Sequence, residues 1–63
     1  MDPNPEMAAK LTAFNVWAEM SDGSTRRLTI YGFGETYQAR LQDAKEQAHH
    51  TPALKGAKLI VVR

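Results

Sequence analysis

The residues able to do chemistry in this 63-residue chain are few, and their spacing argues against most of it. His49 and His50 are adjacent, so on a helix their side chains diverge by about 100° and do not chelate one metal as an i, i+4 pair does. Ser21 and Ser24 belong to a Ser-Asp-Gly-Ser turn, with no base and orienting carboxylate implied beside them. Asp43 and Glu46 are a carboxylate pair in spacing only, because they fall with Arg40, Gln42 and Gln47 on what reads as a solvated helix face. Gly32-Phe33-Gly34 lacks the Lys-Ser or Lys-Thr of a P-loop and the third glycine of a dinucleotide fingerprint, so it reads as a strand exit. Zero cysteines remove disulfides, thiolate metal sites and cysteine nucleophiles. The reading is a protein without catalysis, metal or cofactor.

What is left is the chemistry of contact. Trp17, Arg27 and Tyr31 are of the side-chain types that dominate binding patches, in which a desolvated ring supplies area and a guanidinium pairs with a carboxylate, and Lys58 adds a second cation. Whether they act together depends on the elements that carry them.

From Leu11 to Met20, alternation puts Phe14, Val16, Ala18 and Met20 on one side of a strand and Ala13, Asn15, Trp17 and Glu19 on the other. A second strand runs from Thr25 to about Gly32. A two-residue Asp22-Gly23 turn would set Trp17 against Leu28 and Val16 against Thr29, mixing polar and apolar partners on both faces. A three-residue loop, Ser21 to Gly23, closed by glycine in the left-handed region, pairs Met20 with Ser24 instead. Val16 then meets Leu28, Phe14 meets Ile30, Trp17 meets Arg27 and Ala13 meets Tyr31, so one face becomes apolar.

Tyr37, Leu41, Ala44 and Ala48 recur at helical spacing, which predicts a helix from Glu35 or Thr36 to His49, with Glu35 in its first turn and a stop at Thr51-Pro52. After a loop over Ala53 to Gly56, the β-branched run Ala57 to Val62 is a third strand. The fold class is α+β: a two-layer β-β-α-β domain over residues 11–63, with a three-stranded, mainly antiparallel sheet and one helix on one face. Residues 1–10, with Pro3 and Pro5, form a flexible tail in this reading.

One helix covers one face only. With Phe14, Val16, Leu28, Ile30, Leu59 and Val61 inward, Trp17, Arg27, Thr29, Tyr31, Lys58, Ile60 and Val62 face outward. Aromatics interleaved with cations suit single-stranded nucleic acid, but eight basic against seven acidic residues give only +1, which favours a protein partner over nucleic acid. A homodimer through the same face is a further possibility. No apolar run approaches the roughly 18 residues of a membrane span, and Met1 to Lys10 has neither the basic nor the apolar part of a signal peptide, so a cytoplasmic protein is expected.

With that element order in place, the chain resembles the very small early proteins of lytic podoviruses that inhibit the host RNA polymerase. The likeness rests on Trp17-Ala18 before a turn, Ile30-Tyr31 closing the second strand and Glu35-Thr36 opening the helix. It continues through Leu41 and Ala44, Pro52-Ala53 and Val62-Arg63, covering nearly the whole length with gaps only in loops. The resemblance implies a transcription inhibitor that binds a large polymerase subunit without catalysis or cofactor, and it makes Arg63 a contact residue. Where that family's surface is strongly acidic, this chain carries Arg26 and Arg27.

Overall fold

The structure, a computed structural model, describes residues 9–63. The expected tail lies outside them except for Ala9 and Lys10, and Lys10 is tied to the domain: its carbonyl accepts from Gly34 N at 2.9 Å and its ammonium meets Glu35 at 2.7 Å. Strand β1 (Leu11–Met20) is followed by β2 (Thr25–Phe33), helix α1 (Tyr37–His50), a 3-10 turn (Pro52–Leu54) and β3 (Ala57–Val62). The sheet order is β2-β1-β3, with both pairings antiparallel and the helix packed on one face. This is the α+β architecture expected from the element order.

The hairpin forms in the register that separates polar from apolar. Phe14 pairs with Ile30, Val16 with Leu28 and Trp17 with Arg27. Met20 N donates to Ser24 O, Gly23 N donates to Met20 O, and Gly23 takes φ +90°, the left-handed value that closes a three-residue loop. Asp22 braces the loop by accepting from the Ser24 hydroxyl at 2.6 Å and the Ser24 amide at 2.9 Å. The hydroxyl bond, then the amide bond, hold the Asp22 carboxyl below its ordinary value near 3.8. β2 runs to Phe33, paired with Leu11, rather than releasing the chain at Gly32.

Thr36 caps α1, its hydroxyl accepting from Ala39 N at 3.1 Å, so Glu35 stands just before the helix and not in its first turn. Ala44 and Ala48 are fully buried, and Tyr37, half-exposed, leans over the Phe14 ring at 5.7 Å between centroids. The core consists of Phe14, Val16, Ala18, Ile30, Ala44, Ala48 and Leu54. Leu54 comes from the segment read as a loop: Pro52 starts a 3-10 turn that drives it inward.

Strand β3 corrects the expected faces. Ala18 pairs with Ile60 and Val16 with Val62, so Ile60 and Val62 pack on the core, while Leu59 and Val61 point outward. Leu59 is 47% exposed. The run Leu59-Ile60-Val61-Val62 is apolar at every position, so alternation carries no phase there, and pairing with β1 decides it.

The helix seats on backbone. A Cβ built at Gly32 would fall on the Arg40 carbonyl, and one at Gly34 would lie 2.7 Å from the Ala39 Cβ. Gly32→Ala is expected to force the helix outward and destabilise the domain by about 1–3 kcal/mol, read as a lowered urea midpoint; an unshifted midpoint would show that the contact is looser than described. Because the folded Asp22 pKa is depressed, the loop's carboxylate contribution is present above the ordinary carboxylate range and fades as pH falls through the folded pKa. A carboxyl-carbon NMR titration should place Asp22 below normal in the native chain and return it towards normal in Ser24→Ala.

Candidate functional site: the open sheet face

The face away from α1 is uncovered. Its side chains come in cross-strand rows set by the register. Arg27, Trp17 and Val61 form one row, Thr29, Asn15 and Arg63 the next, then Tyr31 beside Ala13 and Phe33 beside Leu11. Asn15 and Arg63 exchange backbone hydrogen bonds at 2.8 and 2.9 Å, which carries the β1–β3 ladder one residue beyond β3 and brings Arg63 onto this face.

Side chains of the first two rows border a shallow groove of about 630 Å³, with Trp17 central, Arg27 and Arg63 on opposite strands, and Asn15, Thr29 and Val61 between them. Trp17 is half-buried, so its indole forms part of the groove lining instead of projecting freely. Among the described residues the one salt bridge is Lys10–Glu35, which leaves both groove guanidiniums without a carboxylate partner. Such a groove can desolvate an apolar group on the indole and pair two cations with acidic or phosphate oxygens. Its lining, among the described residues, carries no His, Cys, Lys, Asp or Glu side chain. Among the described residues no group of three or more His, Cys, Asp or Glu could hold a metal ion, and no helix is long and apolar enough to cross a membrane.

Trp17, Arg27 and Arg63, expected from the sequence as contact residues, therefore meet in one groove. Tyr31 lies on the same face further along β2, 62% exposed. Lys58 is exposed but stands apart, at the β-bulge where the β1–β3 register shifts between Glu19 and Met20. Ile60 and Val62, assigned to this face from the sequence, belong to the opposite one, and Leu59 and Val61 replace them. Sequence reading also missed Asn15, as a groove residue, and the exposed apolar pair Leu11 and Phe33. Their signal was strand parity: Leu11 and Phe33 are in step with Trp17 and Tyr31 once β2 is carried one residue past Gly32.

The helix face read as solvated is exposed at Gln42, Glu46 and Gln47, but part of it also bonds to the sheet margin. Asp43 Oδ2 accepts from Phe33 N at 2.8 Å, and Gln47 Nε2 donates to Tyr31 O at 2.7 Å and to Asp43 Oδ2 at 2.9 Å. Arg40 Nε donates to Gly34 O at 2.9 Å. The helix lies over β2 more than over β3, which brings Arg40, Asp43 and Gln47 within reach of the backbone at the end of β2, while Gln42, Glu46 and Gln47 stay exposed. No protein-family model, curated protein or solved structure matches the chain.

Replacing Arg63 with Ala should leave the fold intact, since its backbone bonds to Asn15 survive the change, while removing one of the two groove cations. Thermal unfolding is expected within about 0.5 kcal/mol of the parent, as for other exposed positions. A large loss of stability would mean that Arg63 is a structural residue and not a free contact group.

Proposed function

We propose that this chain is a small non-enzymatic regulatory protein, of inhibitory type, that docks on a larger protein through its open sheet face. The observation that supports it is the groove itself: an indole flanked on neighbouring strands by two guanidiniums with no carboxylate partner among the described residues, on a face that α1 does not cover. Exposed Tyr31, Phe33 and Leu59 extend the apolar surface around that groove. The partner surface that complements it is acidic around an apolar centre, because desolvated arginines need oxygen partners and the indole does not. The resemblance to podovirus polymerase inhibitors names the first target to try, a large subunit of bacterial RNA polymerase.

Nucleic acid is the competing ligand for the same face, since three aromatics and two arginines also suit stacking and phosphate contact. The charge balance of +1 favours the protein reading. Titration of purified RNA polymerase core enzyme and of a single-stranded oligonucleotide, each at several salt concentrations, separates them. Saturable binding to the polymerase with a shallow salt dependence supports the proposal. Binding to the oligonucleotide alone, with affinity falling steeply as salt rises, overturns it. Trp17→Ala is expected to weaken polymerase binding by about 30-fold or more, the equivalent of roughly 2 kcal/mol for a hot-spot ring. An unchanged affinity with an unchanged circular dichroism spectrum would remove Trp17 from the interface.

A further inference from the structure

The two margins of the sheet are treated differently. In β2, the odd-numbered residues from Arg27 to Phe33 direct their N–H and C=O groups away from β1, because Ser24 and the even positions carry the hairpin ladder. Near the end of that margin, Asp43 takes the Phe33 N–H and Gln47 takes the Tyr31 carbonyl, so two helix side chains occupy the bonds that a fourth strand would make. The other end carries Arg26 and Arg27 in succession, a charge that discourages strand pairing.

The margin of β3 has neither device. Arg63 exchanges bonds with Asn15, and Val61 stands opposite Trp17 in the same ladder, so Ile60 and Val62 are the residues whose N–H and C=O groups point away from the sheet. Among the described residues no side chain or backbone group bonds to them. Their part of β3, Leu59-Ile60-Val61-Val62, is free of proline and of charge and β-branched at three of its four positions, and the strand's one charge, Lys58, stands at the β-bulge before it. The helix sits towards β2, so it does not shield this margin either. An open, apolar, β-branched strand edge is a template for another strand.

We infer that the edge of β3 pairs with β3 of a second copy, antiparallel about a two-fold axis at Ile60, joining two three-stranded sheets into one of six. The occupant is argued from self-complementarity. Placed about Ile60, the strand sets Ile60 against Ile60 of the second copy on the helix side and Leu59 against Val61 on the outer side. Lys58 then opposes Val62, and Arg63 opposes Ala57, so no cation faces a cation across the seam. A two-fold axis between two copies of one strand is also the symmetry that closes, leaving the guarded β2 margins as the outer edges of the dimer. The net charge of +1 per chain adds little repulsion. This inference uses the strand margin and stands apart from the proposal for the open face.

Sedimentation equilibrium of the full chain from micromolar to millimolar concentration, with amide hydrogen exchange across the same range, tests it. A reversible dimer in which the Ile60 and Val62 amides become protected as concentration rises is the expected result. Leu59→Lys changes a side chain exposed in the monomer and should raise the dimer dissociation constant at least tenfold while leaving the monomer folded. Val62→Pro removes one edge N–H and should abolish the dimer; its circular dichroism reports whether the monomer has survived. A chain that stays monomeric at millimolar concentration overturns the inference. So does a dimer whose Ile60 and Val62 amides exchange as fast as in the dilute protein, because association then occurs through another surface.

Discussion

The contact on which the rest of this fold turns is one of backbone against backbone, where α1 crosses the end of β2 at Gly32. A side chain there would occupy the place of the Arg40 carbonyl, so the helix can lie this close only because the position has no Cβ. Ala44 and Ala48, both fully buried, continue the same close approach along the helix. These two alanines make a seam where small size, not apolar area, is the useful property. The consequence is lateral: a helix held down at Gly32 and Gly34 is anchored over β2, and β3 at the far side of β1 receives little of it.

That offset organises the polar side chains as well. From over β2, Asp43 and Gln47 are within reach of the outward amide and carbonyl of Phe33 and Tyr31, and Arg40 reaches the carbonyl of Gly34. The first two of these satisfy backbone groups that would otherwise form an open ladder, so helix position and edge protection are one arrangement. The same geometry leaves the core short of cover near β3. Leu54, delivered by the 3-10 turn after Pro52, fills part of that gap and completes a core of seven side chains, three of them alanine. A chain with only twelve Leu, Ile, Val and Phe residues cannot build a second covering layer, which is why Leu11, Tyr31, Phe33 and Leu59 stay exposed on the outer side.

The hairpin was legible because its two strands alternate strictly, and only one loop length puts Phe14 and Val16 opposite Ile30 and Leu28. Trp17, Arg27 and Tyr31 follow from that register by parity alone, and for this reason their common face could be read without coordinates. The phase of β3 could not, since four consecutive aliphatics fit either face, and the choice rests on pairing with β1 across a bulge that periodicity does not encode. Lys58 was misplaced for the same reason. The bonds of Arg40, Asp43 and Gln47 to the backbone at the end of β2 were not legible because a helical wheel assumes a helix centred over its sheet. The signal that the helix is off-centre was present in Gly32 and Gly34, where two glycines beside a buried helix mark a close approach as well as a change of chain direction.

The open face and the open margin are adjacent, and this bears on how a chain of 63 residues would hold the larger partner proposed for its face. Val61 lines the groove from β3, whose own ladder bonds are turned towards β1, while Ile60 and Val62, one residue to either side, direct theirs outward. Joining two β3 strands would therefore leave both grooves open, because the new hydrogen bonds lie in the plane of the sheet and the groove side chains stand perpendicular to it. The two grooves would face the same side of one continuous sheet, related by the two-fold axis and separated by the β3 seam. A partner that spans both would meet the second groove at high effective concentration, so that two modest contacts could add to a firm one without further buried area in either chain. The geometry thus gives the unguarded margin a use that does not compete with the face beside it.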